Sequence, residues 1–469
     1  MSIIFYVVLT LLSCISHTVC FLDVYPKIES IESGVGLEKP LILTPLIKQG
    51  KIKEAQRASR VSFKGVRNVR SYAAYLTVNE DFNSNLFFWF FPSTLDYTND
   101  PVVLWLQGGP GATSLFGLFV ENGPFIVTPE LKVKLRKYSW NHGHSVLYID
   151  NPVGTGYSFT DIGGYSQNET AIGENLYEAL LQFFQLFPEL QRNPFYATGE
   201  SYAGKYVPAV SYTIHQRNPT AQQKINLQGL VIGNGFSDPI HQVGYGKYLY
   251  QIGLIDTAGK KVMEEYEAKG VEYIKNKEYK KALLIFDDLF EGGVNNRQSI
   301  FKNETGFDNY YNFLIPKDAD MQYMGKFIQL DYVRKAIHVG NATFNGQNEL
   351  VKINLVNDFM QSVADWVSEL LNNYRVLLYS GQLDIIVAYP LTVNYLTQLN
   401  FSAANDYKTA KRYQWLVDSE IAGYVKTAGN LTEVLVRNAG HMVPRDQPKW
   451  GSDLIMRFTR NKPFCGITK

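Results

Sequence analysis

Cysteine is almost absent from this 469-residue chain: Cys14, Cys20 and Cys465 are the three it has. That excludes a scaffold held by a disulfide framework, so stability has to come from a packed core, which a chain of this length can readily build. An excess of either charge is missing too, since 45 Lys and Arg face 44 Asp and Glu for a formal net charge of +1. A field of the kind that draws polyanions is thereby excluded, and nucleic acid is not an expected partner. Apolar runs long enough to cross a bilayer do not occur. The longest near the start, residues 3–12 (IIFYVVLTLL), falls well short of the ~18 residues required and is followed by the small and polar SCISHTVC. It reads as a secretory signal peptide ending near Cys20, and the sequence predicts no membrane span. Repeats and low-complexity tracts are also lacking, and the mean hydropathy of -0.15 is that of an ordinary globule.

If residues 1–20 leave as a signal, Cys14 goes with them. A Cys20–Cys465 bridge between the termini or a lone thiol near the C-terminus then remain the two states open to the chain. Five Asn-x-Ser/Thr sequons, at Asn168, Asn303, Asn341, Asn400 and Asn430, suit a glycosylated protein of the secretory route.

Beyond an irregular N-terminal extension (21–70), strand-like runs at 71–78 and 85–91 flank a turn and predict an antiparallel pair. Four further apolar runs, VVLWL (102–106), SVLYID (145–150), FYAT (195–198) and LVIGNG (230–235), each end in a glycine-rich turn. Ile172, Leu176, Leu180, Phe183 and Phe187 recur at helical spacing and make one apolar face. RVLLYSG (375–381) and EVLVRNAGH (433–441) continue the strands, and Trp450, Leu454 and Phe458 mark a last amphipathic helix. Buried strands alternating with helices predict an α/β fold with a mostly parallel sheet covered on both faces, its chemistry beyond the strands' carboxyl ends. Residues 237–372 are charged and helical in pattern. They read as a cap inserted between core segments 71–236 and 373–469.

The sharpest local signal is GESYAGKYVPA. Ser201 stands between a strand and a helix with Gly199 and Ala203 two places to either side, the small neighbours that a strained nucleophile elbow needs. In an α/β-hydrolase an acid and a histidine follow at the ends of later strands, in that order. Asp384 of RVLLYSGQLD and His441 of EVLVRNAGH occupy those places, whereas His17, His142, His144, His215, His241 and His338 end no late strand. A serine hydroxyl is a weak nucleophile until a base takes its proton, and the imidazole must be held in one tautomer by a carboxylate. An oxyanion needs two backbone N–H donors, for which Tyr202 and Gly109 of WLQGGPG are the candidates. No phosphate-binding glycine pattern accompanies that loop, and His142-Gly-His144 lacks the partners of a zinc site, so no cofactor or metal is expected. Glu200, beside the nucleophile, would oppose a developing oxyanion if it were charged. It is therefore expected to be protonated, a second nearby acid being one way to raise its pKa, and then able to bind a substrate's free carboxylate at acid pH.

With WLQGGPG, IDNPVGTGYSF, GESYAGKYVPA, GQLDIIVAYP and RNAGHMVPRDQP all present, the sequence resembles the serine carboxypeptidases over roughly residues 70–460, most closely their insect vitellogenic and venom group. The resemblance implies an α/β-hydrolase core with a helical cap, and removal of single residues from peptide and protein C-termini at acidic pH, in a secreted or lysosome-like setting. It maps Ser201, Asp384 and His441 onto a catalytic triad, and Gly109 with Tyr202 onto the oxyanion hole. Trp105, Gln107, Glu121 and Glu200 fall around the substrate's terminal carboxylate, with the two acids sharing a proton, and Met442 falls beside the histidine. The sequence departs from the family where Gln107 replaces the usual Asn, Ala112 replaces a usual Cys and Val387 replaces an occasional Cys. An acyltransferase or esterase on the same scaffold, or an inactive binding or reserve protein, are the alternatives.

Overall fold

The computed structural model describes residues 38–63, 65, 69–292, 298–317 and 322–464. The expected signal segment 1–20 and all three cysteines lie outside them.

Among the described residues twelve strands are formed: β1 (Tyr72–Asn79), β2 (Ser84–Phe91), β3 (Val102–Leu106), β4 (Phe125–Val127), β5 (Val133–Leu135), β6 (Ser145–Ile149), β7 (Phe195–Glu200), β8 (Leu227–Gly233), β9 (Arg375–Gly381), β10 (Arg412–Val417), β11 (Glu420–Ala428) and β12 (Leu431–Val436). Ten make one sheet in the order β1-β2-β6-β3-β7-β8-β9-β12-β11-β10, and β4-β5 is a separate hairpin. The six central strands, β6 to β12 in that order, run parallel, and antiparallel pairs close both edges. The expected β1–β2 pair forms in register from Tyr72 opposite Phe90. β3, β6 and β7 are buried along their whole length, which is why each reads as a continuous apolar run and not as an alternation.

Helices cover the sheet. Glu169–Leu186 and Ala203–Arg217 lie against one another, close-packed at Gly173, where a Cβ would come within 2.6 Å of Thr213 Oγ1 and 2.8 Å of the Ala209 carbonyl. Of the predicted apolar face, Phe187 falls just past the helix, at its C-cap. The final helix, Pro448–Thr459, buries Trp450, Leu454 and Phe458 as expected. Between β8 and β9 the described residues form no strand. Their helices include Tyr245–Gln251, Thr257–Lys275, Tyr279–Phe290 and Ala364–Asn373.

Three features depart from the sequence reading. The N-terminal stretch contains two short helices, Thr44–Lys48 and Ile52–Ala58, pinned by buried Leu43, Ile47 and Ala55. The β4–β5 hairpin was not expected, and neither was β10–β11. β10 is an edge strand with exposed Arg412, Tyr413 and Gln414, too polar to stand out as a buried strand.

Candidate functional site

Ser201 directly follows β7 at φ 64°, a left-handed conformation that a β-carbon makes costly. The turn is imposed by close packing. A Cβ on Gly199 would come within 2.7 Å of both Ala203 Cβ and the Leu106 carbonyl, and one on Gly108 within 2.5 Å of the Tyr202 amide. The Ser201 amide is anchored on the Gly233 carbonyl at 3.0 Å, so the side chain is raised above the strands' carboxyl ends.

Asp384 follows β9 and His441 follows β12, parallel neighbours in the sheet. The His441 Nδ1–H donates to Asp384 Oδ2 at 2.8 Å, and both side chains are fully buried. A carboxylate can only accept here, so in the neutral imidazole the ring proton sits on Nδ1 and Nε2 presents a bare lone pair. Nε2 is buried and makes no hydrogen bond, as a general base awaiting its proton would. The His441 backbone is held as well, its amide donating to the Tyr311 carbonyl at 2.7 Å.

Asn234 escaped the sequence reading. Its Nδ2 donates to the same Asp384 Oδ2 at 2.7 Å, and its Oδ1 accepts from the Gly381 amide at 3.2 Å. It stands in a left-handed turn (φ 43°) just beyond β8, and LVIGNG offers only the strand end as a clue.

Gly109 (φ 109°), Ser201 and Tyr202 border one small cleft, otherwise lined by Phe236, Phe286, Phe359, Ile386 and Val387. The glycine loop is braced from below by fully buried Asp150, whose Oδ1 accepts from Thr113 Oγ1 (2.6 Å) and the Ser114 amide (2.9 Å) while Ser114 Oγ accepts from the Gln107 amide (3.1 Å). Burial pushes the Asp150 carboxyl up to about 6 against the pull of those donors.

Trp105, Gln107, Glu121 and Glu200 form a second buried group. Trp105 Nε1 donates to Gln107 Oε1 at 2.9 Å, and Gln107 Nε2 donates to Glu121 Oε1 (2.9 Å) and Glu200 Oε1 (3.1 Å). The single indole hydrogen and both amide hydrogens are thus engaged, which orients the two acids. Burial raises the Glu121 carboxyl, opposed by hydrogen bonds from Glu200 and Gln107 and by the nearby His441 and Arg445. Two carboxyls linked by a hydrogen bond need one proton between them. Glu121 ends a single π-helical turn, Gly117–Glu121, packed so tightly that a Cβ on Gly117 would collide with the Trp105 indole nitrogen.

Other candidates fall elsewhere. His144 is buried between the Trp140 carbonyl and Thr459 Oγ1, with its pKa lowered by burial to about 4, and His142 lies against Thr94. Among the described residues no three His, Cys, Asp or Glu side chains cluster as metal ligands do. Asn168, Asn303, Asn341 and Asn400 are exposed, while Asn430 is half-buried with its Nδ2 donating to the Leu371 carbonyl.

A family model described as serine carboxypeptidase matches residues 62–461. The chain is 55% identical to a venom serine carboxypeptidase of Apis mellifera, covering 98% of this chain and 99% of that protein. It is 50% identical to a vitellogenic carboxypeptidase of Aedes aegypti (91% and 90% covered), and 48% identical to a probable serine carboxypeptidase of Homo sapiens (91% and 92%). Among solved structures, a prohormone-processing carboxypeptidase from Saccharomyces cerevisiae matches at TM-score 0.75 and 24% identity, over 87% of this chain and 96% of that one. That likeness bears on the fold, an α/β-hydrolase with a large, mostly parallel sheet.

Proposed function

The chain belongs to the serine carboxypeptidase family, and we propose that Ser201, His441 and Asp384 carry its reaction on the C-terminal peptide bond of peptides and proteins. The carrying observation is the buried Asp384–His441 pair, whose bare Nε2 accompanies a serine held in a left-handed elbow. His441 Nε2 takes the Ser201 hydroxyl proton as Oγ bonds to the carbonyl carbon, and Asp384 stabilises the imidazolium that forms. The amides of Gly109 and Tyr202 receive the oxyanion. The proton then passes to the departing amino group as the C–N bond breaks. Water enters by the same base, and its attack on the acyl-enzyme frees the shortened peptide and returns the proton to Oγ.

The Glu121–Glu200 pair selects the free terminus. With one shared proton it donates to a substrate carboxylate. Without that proton it repels one, so exopeptidase activity belongs to acid pH. The apolar cleft beside Ser201 suits an apolar side chain next to the scissile bond. Residues 237–372 would act as the cap over it. The described residues contain no helix long and apolar enough to cross a membrane. Sequons and relatives named for venom and vitellogenesis support a secretory route ending outside the cell or in an acidic compartment.

The test is release of a free amino acid from an N-blocked dipeptide and from its C-terminally amidated twin, at pH 5 and pH 7.5, by wild type and Ser201→Ala. Acid-favoured release from the free acid, lost in the variant, is expected. Turnover surviving in folded Ser201→Ala would remove the assignment.

A further inference from the structure

A second cluster of buried charge lies behind the elbow and takes no part in the steps above. Lys205, one turn along the helix from Tyr202, is fully buried, and its ammonium donates to the Asp358 carbonyl (2.6 Å), Asp358 Oδ2 (3.0 Å) and the Phe359 carbonyl (3.2 Å). Those bonds fix Phe359, which borders the Ser201 cleft and packs on the Tyr202 ring at 4.9 Å. Glu169, in the first turn of the neighbouring helix, faces the same ammonium. It is 2% exposed, and its carboxyl has the Tyr202 hydroxyl nearby but no hydrogen bond within ordinary distance and angle limits.

Resting on the reading of Tyr202 as an oxyanion donor, we propose that Glu169 is a positioning residue. In its neutral form it leaves Lys205 to Asp358, Phe359 and the Tyr202 hydroxyl, which the ammonium reaches at 3.5 Å, and so keeps Tyr202 and the cleft wall in place; on ionising it withdraws that support and ends activity on the alkaline side.

The groups facing Glu169 are Lys205 and Tyr206 on the Ala203–Arg217 helix, Tyr202 at its N-cap and Asp358 on the segment after Leu355. Burial pushes its carboxyl up to about 8, with Lys205 pulling it down, Asp358 adding to the rise and the Tyr202 hydroxyl again lowering it. Below that pH one ammonium is matched by one carboxylate. Above it two carboxylates compete for one ammonium, and a buried anion stands behind the residue that must donate to an oxyanion.

The experiment measures kcat for a blocked amino-acid ester with no free carboxylate, so that Glu121 and Glu200 are not read, from pH 5 to pH 10. Glu169→Gln should keep the acid plateau within about twofold and move the alkaline limb up by about one pH unit or more. Asp358→Asn, which leaves Lys205 freer to favour ionised Glu169, should move it down. Opposite shifts are not expected of a merely structural pair. Limbs that superimpose on wild type, or that move in the same direction, would overturn the proposal. A fluorophosphonate label on Ser201 at pH 5 shows separately whether the nucleophile is competent. Should the enzyme turn over no ester, infrared difference spectra at pH 7 decide the matter: a protonated carboxyl stretch present in wild type and lost in Glu169→Gln is expected, and identical spectra refute it.

Discussion

Asp384 is held from two sides, and the two hydrogen bonds to its Oδ2 differ in what they do. His441 receives orientation from that oxygen, whereas Asn234 gives orientation to it. Asp384→Asn should therefore leave the imidazole in the wrong tautomer and lower kcat by roughly 10⁴. A loss under tenfold would mean that another group orients His441. Asn234→Ala should keep the tautomer but loosen the acid, at a cost of roughly 10- to 100-fold in kcat with KM little changed, the worth of one buried bond to a charged group. Steady-state kinetics on a blocked dipeptide separates the two, and an Asn234→Ala enzyme with wild-type kcat would show that the bond is dispensable. The difference in how these residues could be found is physical. Asp384 and His441 each end a strand in a recognisable apolar pattern. Asn234 acquires its contact only because β8 and β9 are neighbours and its left-handed turn swings the amide across, which no local sequence pattern records.

At the scale of elements, the six parallel strands and their glycine-rich ends could be read because burial on both faces leaves an unbroken apolar run. The edge strand β10 escaped because water takes one face, and the π turn because its geometry comes from a tertiary contact. Gly117 has to pass the Trp105 indole without a β-carbon, and the extra residue in the turn is what brings Glu121 to Gln107 and Glu200. Gly117→Ala should push the turn outward and carry Glu121 with it. KM for a free-acid dipeptide is expected to rise roughly tenfold, equivalent to about 1.4 kcal/mol, while kcat/KM for an ester lacking a carboxylate changes less than twofold. Equal losses on both substrates would place the effect on the elbow and not on the carboxylate site.

The whole molecule buries more acid than its exposed surface suggests, and this was beyond sequence reading because burial of Asp150, Glu169 and Glu267 depends on which helices and loops close over them. Burial is the leading cause in each case, raising Asp150 to about 6, Glu267 to about 7 and Glu169 to about 8. A carboxyl whose pKa is higher in the folded chain than in the unfolded one makes the native state bind more protons, so its contribution to stability is full at acid pH and is lost as pH rises from about 4 through the folded value. His144, lowered to about 4, works the other way between about 4 and 6.5, where the unfolded imidazole takes a proton that the native one refuses. Above about 6.5 the histidine has no further effect, and Glu267 and Glu169 continue the decline, to which loss of the proton shared by Glu121 and Glu200 adds. Each carboxyl that stays protonated in the native state while ionised in the unfolded one lowers stability by about 1.4 kcal/mol for every pH unit climbed. Stability should therefore fall between pH 6.5 and pH 8 by about 2 to 3 kcal/mol, with Glu169 supplying the larger part. Urea unfolding at half-unit pH intervals measures it. Glu169→Gln should flatten most of that decline, and a wild-type midpoint that holds or rises across the window would show that these carboxyls are already ionised in the native state.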